Sequence, residues 1–148
     1  MASLVDILVE NRRLQTDEAF AAYENALREL IEAPKNPLLL SDLLLAFCDS
    51  VAPLDVEDHT MMWSLVYYVE SFEIVYYIDS LIKVTPTLLL DAKQWLEILY
   101  VAILNSDDYK ILKVALQQAS KEAQEAVRLI FGYILFDPFS DEYTGRPC

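Results

Sequence analysis

Thr16-Asp17-Glu18-Ala19-Phe20-Ala21-Ala22-Tyr23-Glu24-Asn25-Ala26-Leu27-Arg28-Glu29-Leu30-Ile31-Glu32-Ala33-Pro34 sets the fold class. Thr16 or Asp17 supplies a side-chain acceptor for the free N–H groups of a helix start. Phe20, Tyr23, Ala26, Leu27, Leu30 and Ile31 recur at three- and four-residue intervals and form one apolar stripe. Pro34 cannot continue the pattern and ends it. The stretch therefore predicts an amphipathic helix with its start, buried face and stop all specified.

The same period runs through the rest of the chain. Ser3–Gln15, with Leu4, Ile7, Leu8 and Leu14, predicts a short first helix. Asn36-Pro37 reads as a cap followed by Pro at the first helical position, opening a third helix to about Cys48 that is apolar enough to be central. Asp49–Asp58, with Pro53 inside it, reads as a loop. A fourth helix starts near Asp58 or His59 and ends near Ser71. A fifth covers Phe72–Val84. Thr85-Pro86 repeats the cap-plus-Pro signal and predicts a new short helix to Leu90, followed by a longer one over Ala92–Leu104. Asn105-Ser106 is a turn. Further helices cover Asp107–Ala119 and, capped by Ser120, run to about Phe136.

Eight or nine helices with short connections imply an all-α fold. The expected architecture is a compact stack of antiparallel helix pairs, HEAT-like, with a helical bundle as the alternative. The two Pro-containing starts lie 49 residues apart, near the period of helical solenoids. The expected organisation is one domain over 1–136, with 137–148, which holds two Pro and a Gly, as a loose tail.

Composition agrees. A hydrophobic content of 55% supports a folded core rather than disorder. Gly occurs only at 132 and 145, too rarely for the turns of a sheet-rich fold. Asp6, Glu10, Arg12 and Arg13 interrupt the N-terminus before an apolar signal core can form. The longest run without a charged residue, His59–Val69, has 11 residues, against the ~20 of a membrane helix. Cys48 and Cys148 make no disulfide framework. Cytoplasmic location, with no membrane contact, is the expectation.

Net charge is −13, and it is unevenly spread. From Asn36 to Ile82 there are eight carboxylates and no Lys or Arg: Asp42, Asp49, Asp55, Glu57, Asp58, Glu70, Glu73 and Asp79. Trp63, Tyr67, Tyr68, Phe72, Tyr76 and Tyr77 are interleaved with them. Such a surface attracts a basic protein and repels nucleic acid and anionic lipid. Its bland counterpart is a charge that only keeps an acidic protein soluble. Catalytic chemistry has little to work with. A single histidine, His59, excludes the usual zinc sets. Two isolated glycines exclude a phosphate loop. No enzymatic activity, metal or cofactor is expected.

On the fourth helix, His59, Trp63, Val66 and Glu70 share a narrow stripe. Met62, Leu65, Val69 and Phe72 form the adjoining core face, and Ser64 and Ser71 point outward. The stripe therefore edges the core, either as a boundary row or as an aromatic anchor flanked by polar groups. Tyr67-Tyr68 and Tyr76-Tyr77 must each place one ring inward and one outward. The candidate partner-binding set is Asp49, Asp55, Glu57, Asp58, His59, Trp63, Tyr67, Glu70, Glu73, Tyr76, Tyr77 and Asp79.

The run His59-Thr60-Met61-Met62-Trp63-Ser64-Leu65-Val66-Tyr67-Tyr68-Val69-Glu70-Ser71-Phe72 resembles the His-x-x-x-Trp-Ser-Leu-x-x-x-x-Glu-Ser-Phe pattern of the immunity protein 30 family of bacterial polymorphic toxin systems. Leu43–Phe47 and Trp95–Ser106 extend the likeness, so that it spans about Leu38–Tyr109. The resemblance implies a small α-helical immunity protein, encoded beside a secreted or contact-delivered toxin, that binds the toxin's C-terminal domain in the cytosol. The acidic segment adds that this toxin domain is basic, with a nuclease as the simplest candidate. The alternative is a helical adaptor, unrelated to toxins, that binds a basic protein or peptide through the same surface.

Overall fold

The computed structural model describes residues 3–49 and 56–134, with the side chains of 56–59 and 132–134 outside the description. Among the described residues there are eight α-helices and no strand: α1 (Leu4–Glu10), α2 (Asp17–Glu32), α3 (Leu40–Leu44), α4 (Val56–Glu70), α5 (Ile74–Asp91), α6 (Lys93–Leu104), α7 (Tyr109–Gln118) and α8 (Lys121–Ile134). A single 3-10 turn, Pro37–Leu39, leads into α3. The all-α expectation holds. The expected tail, 137–148, lies outside the described residues.

Helix starts follow the sequence closely. Ser3 and Asp6 form a reciprocal capping box on α1. Thr16 Oγ1 accepts the Ala19 N–H at 3.0 Å, and Ser120 Oγ accepts the Ala123 N–H at 3.1 Å. Asn36 Oδ1 accepts the Leu38 N–H at 3.1 Å, opening the 3-10 turn. On α2, Tyr23, Ala26, Leu27 and Leu30 are buried as the stripe requires, whereas Ile31 at its margin is 52% exposed.

Three boundaries differ from the reading of the sequence. The first helix stops at Glu10, not Gln15, because side chains take over its last carbonyls. Asn11 Nδ2 donates to Ile7 O at 2.8 Å and Arg12 Nη1 to Val9 O at 2.7 Å. Leu14 then turns the chain at φ 52°, a left-handed conformation disfavoured for Leu and held by burial of its side chain. The third helix is shorter than expected and gives way to turns after Leu44.

The largest difference is at Thr85-Pro86, which starts no helix. Both residues lie inside α5, an uninterrupted helix of 18 residues. Thr85 is fully buried, and its hydroxyl donates to Leu81 O at 2.6 Å while sitting 2.6 Å from the Tyr100 hydroxyl on α6. The polar group that reads locally as a cap is used as a core hydrogen bond, and packing on both sides of α5 outweighs the ~3 kcal/mol preference against Pro in a helix interior. The two Pro motifs are thus not equivalent, and the 49-residue spacing is no structural repeat.

α5 is the hub, contacted by α3, α4, α6, α7 and α8, with α8 its most extensive partner. Such convergence matches the bundle alternative better than a one-dimensional stack, in which each unit meets only its neighbours. Leu40, Leu43, Leu44 and Phe47 sit in the core beside Ile78, Leu81, Leu99 and Val127. Each such side chain contributes about 1.5–3 kcal/mol by leaving water. Buried tyrosines cross-link the helices: Tyr23 donates to Ala46 O at 3.0 Å and Tyr68 to Leu30 O at 3.2 Å.

Candidate functional site

α4 supplies the outer wall of an open groove. Met62, Leu65, Val69 and Phe72 bury the inward side of this segment, as its periodicity predicts. This orientation fixes where the neighbouring stripe must lie. Trp63 and Glu70, two turns apart on α4, face Glu97, Ile98 and Val101 of α6 across a hollow of about 430 Å³ floored in part by Val66. Trp63 is 38% exposed. Its ring meets Trp95 of α6 edge to face at 5.5 Å and lies 6.0 Å from Tyr67, centroid to centroid. The indole is therefore anchored at the rim and open beyond it, the arrangement of an aromatic anchor at an interface.

Two carboxylates border the hollow, and no Lys or Arg among the described residues lines it. Neither Glu70 nor Glu97 takes part in an ion pair among the described residues. Partial withdrawal from water pushes the Glu70 carboxyl above its ordinary value. This is a negative, partly desolvated, apolar-floored groove, with the properties of a cation acceptor rather than of an anion site. Among the described residues, no His, Cys, Asp and Glu cluster suited to a metal occurs. No helix there is long and apolar enough to cross a membrane.

The structure sorts the residues singled out in the sequence. Trp63 and Glu70 meet at the groove, with Tyr67, 67% exposed, beside Trp63. Glu73, at the N-cap position of α5, and Tyr76 are exposed at the start of the next helix. Asp79 is exposed elsewhere on α5, lining a hollow that also contains Lys83 and another that contains Lys110, so the acidic field is broken there. Asp55, and the side chains of Glu57, Asp58 and His59 at the start of α4, fall outside the described residues.

Two candidates have structural roles. Tyr77 is 2% exposed, and its buried hydroxyl has no hydrogen-bond partner among the described residues. It faces the interior while Tyr76 faces out, and burial followed by the nearby Glu70 charge pushes its phenol well above the ordinary value. Tyr77 is therefore corrected from contact residue to core residue. Asp49 is half-buried. Its Oδ2 accepts the Gln94 N–H at 3.2 Å, and its own N–H donates to Asp91 O at 2.8 Å. It caps α6, whose own N-cap position, Ala92, offers no side-chain acceptor. Burial raises the Asp49 carboxyl, while the helix N–H groups and Lys93 pull it the other way. Arg12 and Arg13 fasten this corner by pairing with Asp91 at 3.2 and 3.4 Å.

Glu97, Ile98 and Val101 were not singled out, because α6 lies outside the acidic segment. A signal was present. Glu97 is the one charged residue between Trp95 and Ser106, and a lone carboxylate in an apolar helix must find either a partner or an open edge.

Fold and groove together describe an all-α protein with an acidic, aromatic groove between α4 and α6. The chain belongs to the immunity protein 30 family, whose model matches residues 10–112. The match takes in α2 as well as the segment whose motif resembles the family, and it identifies an immunity protein directed against a toxin. No curated protein and no solved structure matches the chain significantly.

Proposed function

We propose that this chain binds the C-terminal domain of its cognate toxin one to one in the cytosol and neutralises it by occupancy, without catalysis. The carrying observation is the rim of α4, where Trp63 stands 38% exposed beside a hollow bordered by Glu70 and Glu97 and lined by no cation among the described residues. An immunity protein has to form a stable complex, and a part-buried aromatic next to carboxylates without an ion pair among the described residues is the composition of a hot spot for a basic partner. Tyr67, Glu73 and Tyr76 extend the contact surface towards α5. Asp55, Glu57, Asp58 and His59 are added to the proposed contacts for their place in the acidic segment of the sequence. The toxin domain is basic, and a nuclease satisfies that requirement most simply.

Co-expression tests the proposal. Cells making the toxin domain encoded beside this chain survive when the wild type is present. They die when Trp63→Ala and Glu70→Lys are combined in a variant that retains its helical circular dichroism. Full protection by that folded variant would remove the α4 rim from the mechanism.

A further inference from the structure

We infer that the groove between α4 and α6 is a receptor for one arginine side chain, presented by the toxin domain. The inference rests on the proposed function for the identity of the partner and on the groove alone for the chemistry of the ligand.

Each part of an arginine has a counterpart in the groove. Its apolar stem fits Val66, Ile98 and Val101, which line the hollow together with the two carboxylates. The flat guanidinium has an aromatic surface in Trp63, which is fixed by Trp95 at 5.5 Å yet 38% exposed. Its N–H donors have Glu70 and Glu97, which come from opposite walls and form no ion pair among the described residues. Two carboxylates on opposite walls suit the fork of a guanidinium better than the single point of an ammonium, so arginine is favoured over lysine. At about 430 Å³ the hollow is larger than one side chain, leaving room for the backbone that carries it. The cavity between α2 and α4 is larger, about 560 Å³, but Arg28 lines it beside Glu24 and already pairs with that residue at 3.3 Å. A cation is thus already in place there, beside Glu24 and Glu32.

The probe is N-acetyl-arginine amide, titrated into the isotope-labelled full chain and followed by the Trp63 indole N–H and the backbone amides of α6. N-acetyl-lysine amide and the neutral isostere N-acetyl-citrulline amide serve as controls. Saturable shifts confined to Trp63 and residues 97–101, weaker with lysine and absent with citrulline, are expected. Glu97→Gln should weaken the arginine probe about tenfold, the loss of one charge-assisted hydrogen bond. An absence of saturable shifts, equal shifts with citrulline, or an unchanged response in Glu97→Gln would overturn the inference. A second arm uses the toxin domain, in which one arginine replaced by Ala should be non-additive with Glu97→Gln. If the toxin domain binds but none of its arginines couples to Glu97, the arginine receptor is wrong and the proposed function stands. If the probe binds as described and the toxin domain does not, the proposed function is wrong and the receptor stands.

Discussion

Trp63 and Trp95 meet edge to face at 5.5 Å, one 38% exposed and the other 4% exposed. The buried ring belongs to the core and the open ring is braced against it. The pair thus joins the two halves of the protein's task, holding the fold and presenting a surface.

These two tryptophans should respond differently to truncation. Trp95→Ala should destabilise the fold by about 3–5 kcal/mol, as for a large buried aromatic. Trp63→Ala should cost about 1–2 kcal/mol, because much of its surface already faces water, and should cut toxin affinity at least as sharply as an anchor residue does. Chemical denaturation and calorimetry on both variants check this. Equal losses of stability would contradict it.

Asp49 should matter to stability and not to the partner. Asp49→Ala removes the side-chain acceptor that caps the α6 start and should destabilise by about 1 kcal/mol. Toxin association should keep its wild-type rate, as stopped-flow measurements would reveal.

Thr85→Val should destabilise by about 1–3 kcal/mol, because it leaves the buried Tyr100 hydroxyl without its 2.6 Å partner. The substitution is nearly isosteric, so the loss reports the polar contact rather than a cavity. A denaturation midpoint equal to that of wild type would show that the Thr85–Tyr100 contact contributes nothing.

Glu70 gives two pH effects of opposite sense. Its folded-state carboxyl is raised by desolvation, so the folded chain takes up this proton before the unfolded chain does as pH falls. Its contribution to stability is fully present below the unfolded value and is lost as pH rises through the folded value. Glu70→Gln should therefore be no less stable than wild type at neutral pH. Binding of a cationic partner requires the carboxylate, so affinity should fall on acidification, beginning at a higher pH than an ordinary glutamate would give. Superimposable affinity–pH curves for wild type and Glu70→Gln would contradict this.

Reversing Asp55, Glu57 and Asp58 to Lys should slow association with little effect on folding, since the steering field weakens before any contact forms. Unchanged association kinetics would take that segment out of the interface.

The parts of the fold that could be read from the sequence are those where local signals and tertiary packing agree. Thr16, the stripe from Tyr23 to Leu30 and Pro34 mark α2 almost to the residue. Thr85-Pro86 carries the same local grammar and misleads, because the deciding partner is Tyr100, 15 residues away on another helix. The site divides in the same way. Periodicity along α4 places Trp63 and Glu70 on one edge, yet says nothing of the opposite wall. Glu97 and Val101 reach that wall through the packing of α6 against α5 and α8. Nor does sequence spacing show that Asp49 is drawn to the α6 start by an orphan N–H 45 residues on.

The most direct test is calorimetric titration of this chain with the purified C-terminal toxin domain encoded beside it, at low and at physiological salt. One-to-one binding in the nanomolar range or tighter, weakened by salt and by Glu97→Gln, is expected. Absence of binding at both salt concentrations would contradict it.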